Sequence, residues 1–135
     1  MTIQLDPTRP IYLQIMEEIK KRSARGIYKP GKQLPSVRDM AKEMEVNPNT
    51  IARVYRELES EGFIITRRGR GSFITEDSRR IQEERTRLGS IATQRFINDI
   101  NELEMTNEQI QNLLSFLESS LSGDKKPGDC QQGGQ

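Results

Sequence analysis

Amide and guanidinium side chains recur on one side of a short helix predicted to begin at Asn47. At about 100° of rotation per residue, Asn49, Arg53, Arg56 and Ser60 share one face, with Thr50 on its flank. Ile51, Val54, Tyr55 and Leu58 fall on the other side. Groups presented this way are those that pair with phosphate oxygens and base edges. A second cluster follows in Arg67-Arg68-Gly69-Arg70, with three cations in four residues. Either feature, taken alone, is equally an ordinary solvated face. The elements that hold them decide between the two readings.

Asn47 suits an N-cap, because its side-chain oxygen can accept from an orphan backbone N–H. Pro48 then takes the first helical position, where a missing N–H costs nothing. Upstream, Ser36-Val37-Arg38-Asp39 has the shape of a capping box, with Asp where Glu or Gln is usual. It opens a helix whose buried stripe is Val37, Met40, Ala41 and Met44. Arg38 lies in the first turn, away from that stripe. A cation there opposes the helix dipole, so helix stability does not account for it; a phosphate contact would, and so would an ordinary surface position. Only Glu45 and Val46 separate this helix from Asn47. Two short helices joined by so tight a turn form a helix-turn-helix, although the turn lacks the usual Gly. In that arrangement the second helix places its N-terminal residues on base edges in the major groove.

An earlier helix is predicted over about residues 10–25, with Thr8 as cap and Gly26 as stop. Ile11, Ile15 and Ile19 form its stripe, which Leu13, Met16 and Ala24 widen; Glu17, Glu18, Lys20, Lys21 and Arg22 supply its wet side. Residues 27–35 are a connector with a Pro-Gly turn, and an extended piece around Gln33-Leu34 can pair with a later strand. Gly62 stops the second of the two short helices. Phe63-Ile64-Ile65-Thr66 and Ser72-Phe73-Ile74-Thr75 are β-rich runs on either side of the basic loop, which makes a hairpin. Three helices followed by a hairpin give a winged helix, with the basic wing along a DNA backbone or in the minor groove. A winged helix that binds protein is the other reading open to this fold.

Composition narrows the rest. The chain has 135 residues, 33% hydrophobic and 30% charged, enough for one small domain and an appendage. Residues 1–75 carry fourteen Lys/Arg against nine Asp/Glu, a net of +5, and residues 76–135 carry a net of −4. Only the first half is suited to a polyanion. One cysteine, Cys130, excludes an internal disulfide and points to the cytoplasm. No apolar run reaches the roughly 18 residues of a membrane span, so no membrane partner is expected. The absence of His removes most metal sites and the commonest general base. No nucleophile elbow, phosphate-cradling loop or paired-carboxylate pocket supports an enzyme, and neither cofactor nor metal is expected.

Beyond Asp77 a helix of about 25 residues carries a stripe of Leu88, Ala92, Phe96, Ile100 and Leu103. Thr106-Asn107-Glu108-Gln109 is a capping box that starts another helix, with Ile110, Leu113, Leu114, Leu117 and Leu121 at helical spacing and an end at Gly123. Two helices cannot enclose a metabolite cavity of several hundred Å³. Their stripes call for the same pair from a second copy, or else for the domain that precedes them. The expected organisation is therefore a mainly α chain: a winged helix-turn-helix over 9–76, a two-helix antiparallel dimerisation segment over 77–122, and a disordered tail over 123–135. Within it the dimer interface comprises Leu88, Ala92, Phe96, Ile100, Leu103, Ile110, Leu114 and Leu117.

Leu34-Pro35-Ser36-Val37-Arg38, Val46 through Glu59, Gly62-Phe63-Ile64 and Gly69-Arg70-Gly71-Ser72-Phe73-Ile74 together resemble the DNA-binding domain of GntR-family bacterial transcription regulators. The resemblance implies a homodimer that binds an inverted-repeat operator in double-stranded DNA, commonly as a repressor. It also implies contacts from Arg38, Asn47, Asn49, Thr50, Arg68 and Gly69, to which the residues themselves add Arg53, Arg56, Arg67 and Arg70. Some members have an arginine where this chain has Pro48. That contact is not carried over, and Arg53 is placed to take up part of it. The short C-terminal pair is similar to the YtrA-like subfamily, often linked to ABC-transporter operons, and offers no obvious effector domain.

Overall fold

The computed structural model describes the backbone of residues 3–133 and the side chains of residues 3–121. In chain order the elements are α1 (Ile11–Ala24), α2 (Val37–Met44), α3 (Pro48–Ser60), β1 (Ile64–Arg67), β2 (Gly71–Ile74), α4 (Ser78–Glu102) and α5 (Asn107–Gly133). The chain divides into two compact units, Met1–Ile91 and Ala92–Gln135.

In the first unit α3 packs against both α1 and α2, and its end meets β1. Ile15 and Ile19, Met40 and Met44, and Ile51, Val54 and Leu58 meet in a core that Phe63, Ile64 and Ile74 close from the hairpin. Side chains of this size each contribute about 1.5–3 kcal/mol when fully buried. The expected stripes of α2 and α3 are therefore core. That of α1 is shifted. Ile15, Met16 and Ile19 are buried, whereas Ile11 and Leu13 are exposed. The wet side also needs correcting, since Lys20 and Arg22 are buried. Arg22 bonds Glu18, the Tyr28 hydroxyl and Glu43 at 2.9–3.0 Å. Burial works against its charge, but those bonds outweigh it and hold its pKa above the ordinary value.

Lys20 meets Glu61 at 2.7 Å and Glu84 at 3.9 Å. Arg80 and Arg87 complete the ring around Glu84, itself buried on α4. With Ile81 also buried, the first turns of α4 belong to the same compact unit, Met1–Ile91. Lys20 and Arg22, on the side that periodicity assigned to solvent, are thus buried in ion pairs.

Caps set most helix ends. The Ser36 hydroxyl accepts from the Asp39 N–H at 3.1 Å. Thr106 and Gln109 form the full reciprocal capping box, at 2.9 and 3.2 Å. Thr8 does not cap α1. Its N–H and hydroxyl both donate to Asp6, and Pro10 takes the N-cap position with no side-chain bond. Those bonds lower the pKa of Asp6. The last helix runs past Gly123, the expected stop, to Gly133. One interior glycine costs a helix about 1 kcal/mol relative to alanine, which does not by itself end it. Of the tail expected to be disordered, residues 134–135 lie outside the described residues.

Candidate nucleic-acid interface

The turn between α2 and α3 closes without glycine. Glu45 adopts the left-handed conformation, with φ 59° and ψ 47°. The Val46 N–H then reaches back to the Ala41 carbonyl at 3.0 Å. Asn47 follows in extended conformation, and its side-chain oxygen accepts from the Asn49 N–H at 2.7 Å. Asn47 is thus committed through that oxygen to starting α3, which leaves its amide N–H groups as the donors for any ligand. Pro48 occupies the first turn, as its fixed φ favours.

From that start Asn49, Arg53 and Arg56 stand exposed along α3, and Thr50 is half-buried at the flank. Arg38 is exposed in the first turn of α2. The guanidinium of Arg53 does not extend freely: its Cζ lies 3.6 Å from the centroid of the Tyr12 ring. On the buried side the Tyr55 hydroxyl donates to the Pro35 carbonyl at 2.7 Å, tying α3 to the connector before α2. Burial, then the nearby Tyr28 and Glu43, push the Tyr55 phenol well above its ordinary pKa, so it stays a neutral donor.

The wing is an antiparallel pair in the register Ile64↔Ile74, Ile65↔Phe73, Thr66↔Ser72 and Arg67↔Gly71. Arg68, Gly69 and Arg70 form its tip, closed by the Arg70 N–H on the Arg67 carbonyl at 2.8 Å. Gly69 supplies the positive φ, 76°, that this turn requires. Arg67, Arg68 and Arg70 are all exposed, and the Arg67 guanidinium lies 5.9 Å from the Phe73 centroid. The extended piece of the connector pairs with β2 through a single bridge. Gln33 bridges Phe73, and the Leu34 N–H donates to the Ser72 carbonyl at 2.8 Å. The Gln33 amide also donates to the Arg70 carbonyl at 2.7 Å.

Every residue singled out for nucleic-acid contact lies on α2, on α3 or its Asn47 cap, or on the hairpin, and all but Thr50 are exposed. Two participants escaped the sequence reading. Tyr12 gave no signal because aromatic spacing on α1 says nothing of α3. Gln33 reads as part of an extended piece of the connector, and nothing in its spacing announces the reach of its side chain to the wing tip. Among the described residues no group of His, Cys, Asp and Glu is arranged to hold a metal, and no helix is long and apolar enough to cross a membrane.

Three helices with a tight second turn and a basic hairpin define the winged helix-turn-helix class. Residues 11–74 match the family described as bacterial regulatory proteins, gntR family. The chain is 40% identical over 119 residues to the HTH-type transcriptional regulator YhcF of Bacillus subtilis, covering 87% of this chain and 98% of that one. It is 36% identical to the HTH-type transcriptional repressor YtrA of the same organism, covering 92% and 98%. A solved GntR family transcriptional regulator from Listeria monocytogenes, 39% identical, superposes with a TM-score of 0.74 over 82% of this chain and 97% of that one. The protein belongs to the gntR family. It is a DNA-binding transcription regulator of that family and not an enzyme.

Proposed function

We propose that the protein is a homodimeric repressor that binds an inverted-repeat operator in the cytoplasm. The observation that carries the dimer is an unpartnered apolar surface. Within the second unit Phe96, Leu103, Leu114 and Leu121 are 39–66% exposed. Ile100, Ile110 and Leu117 are half-buried and Ala92 is exposed, as is expected of a face that a second copy covers; Leu88, at the end of the first unit, is half-buried. Residues 9–76 then act as the DNA-binding domain and 77–122 as the dimerisation helices. Repression draws support from the name of the relative YtrA, a transcriptional repressor.

In this reading each copy lays the start of α3 in a major groove. Asn49, Thr50, Arg53 and Arg56 face base edges and phosphates there, with Asn47 at the entry to the helix. Arg38 holds a phosphate, and Arg67, Arg68, Gly69 and Arg70 follow the adjacent backbone or minor groove. Two-fold symmetry makes the two half-sites inverted. Bound protein would occlude polymerase.

The test pairs sedimentation equilibrium with footprinting on a duplex selected by the full chain from random sequence. A dimer that protects two inverted half-sites is expected. Leu114→Asp with Leu117→Asp should give a folded monomer whose affinity for the duplex is at least tenfold weaker. A wild-type monomer, or a single protected half-site, would refute the dimer.

A further inference from the structure

Arg53 and Tyr12 come from helices far apart in sequence, yet the guanidinium carbon lies 3.6 Å from the ring centroid. That is face contact at carbon–carbon packing distance, well inside the roughly 6 Å limit of a cation–π pair. Tyr12 is itself held, half-buried and packed against the core. Arg53 nevertheless remains exposed, and among the described residues no carboxylate forms an ion pair with it. A guanidinium presents its five N–H donors at its edges, in its own plane. A ring against its face therefore restrains the side chain without using any of them. Arg53 sits one helical turn beyond Asn49 on the same exposed face of α3.

We propose that Tyr12 is a positioning residue for sequence reading: its ring fixes the Arg53 guanidinium, donors free, before the duplex arrives. This rests on the reading that the polar face of α3 meets DNA. A long arginine ordered in advance loses less freedom on binding. It also presents its fork at one angle, which favours a matched base edge or phosphate over a mismatched one. The first helix thereby contributes to specificity without any base contact of its own.

The experiment uses the full chain with two duplexes: the one the wild type selects from a random pool, and a scrambled duplex of equal composition. Tyr12→Leu keeps an apolar cover but removes the ring face. It should weaken binding to the selected duplex about three- to fivefold, the scale of a cation–π pair, and leave scrambled DNA nearly unchanged. Tyr12→Phe should restore wild-type discrimination. Arg53→Ala should weaken the selected duplex at least as much as Tyr12→Leu, and adding Tyr12→Leu to it should cost nothing more. The proposal is overturned by any of four outcomes: independent losses in the double variant, an equal loss on both duplexes, failure of Tyr12→Phe, or no effect of Arg53→Ala. An equal loss accompanied by a lower unfolding midpoint would assign Tyr12 to stability alone. If the wild type selects no duplex at all, it is the DNA-facing reading of α3 that fails.

Discussion

The side-chain amide of Gln33 donates to the main-chain carbonyl of Arg70 at 2.7 Å, fastening the wing tip to the connector between α1 and α2. Gly71 makes that bond possible. A Cβ at position 71 would lie 2.6 Å from the Gln33 amide nitrogen, and the position has φ +114°. The amide is the end of a flexible side chain and can swing aside, but only by leaving Arg70.

Gly71→Ala and Gln33→Ala therefore act partly on one interaction. Gln33→Ala should destabilise by about 0.5–1.5 kcal/mol, the scale of one hydrogen bond. Gly71→Ala should cost more, because its φ adds strain. In the double variant the two losses should overlap by most of the Gln33→Ala value. Urea denaturation of the four proteins measures this, and full additivity would break the link.

Arg67 at the end of β1 and Arg68 and Arg70 at the tip are all exposed on the wing. If they neutralise phosphates, Arg68→Ala and Arg70→Ala should each flatten the dependence of log affinity on log salt by about 0.9. They should weaken selected and random duplexes alike. Binding isotherms from 50 to 200 mM salt test this, and an unchanged slope would remove the wing from the phosphate backbone.

Asn49 presents its side chain beside the capped start of α3. Asn49→Ala should cost about 1–3 kcal/mol on the selected duplex and little on random DNA. Its backbone N–H still caps on Asn47, so helix content should not change. Equal losses on both duplexes would place Asn49 on phosphate.

Tyr55→Phe removes the donor to Pro35 and should cost about 1 kcal/mol at neutral pH. The phenol also sets a pH dependence. Its pKa is raised in the folded chain, so its contribution is fully present below the unfolded value, about 10. It is lost as pH rises from there through the folded value, because only the unfolded chain readily gives up the proton. Denaturation midpoints taken from pH 8 to 11 should fall more steeply for wild type than for Tyr55→Phe.

Local chemistry made much of this fold legible. Ser36, Asn47 and the Thr106–Gln109 pair cap where their residue types said they would, because a cap depends only on neighbours within one turn. Gly26 and Gly62 take positive φ just beyond α1 and α3, and α4 spans the expected 25 residues. What stayed hidden depends on partners distant in sequence. Lys20 and Arg22 look solvated by periodicity and are buried against carboxylates from other elements, Glu61 and Glu84 at Lys20 and Glu43 at Arg22. Ile11 keeps the spacing of a core residue but lies before the turn where α1 enters the core. The candidate interface was legible as a set of exposed polar residues, but the Tyr12–Arg53 stack was not, since nothing local to either residue announces the other.

Glu45 shows what a strained residue can do for the timing of order. Glycine would adopt its left-handed φ freely, but would also sample many other backbone states. A side-chain-bearing residue has fewer, so the angle between α2 and α3 is settled when the chain folds. The two helices then meet a ligand as one stiff probe, and docking need not select among turn geometries. Glu45→Gly would relieve the strain and yet make the probe more compliant, trading discrimination for tolerance of imperfect sites.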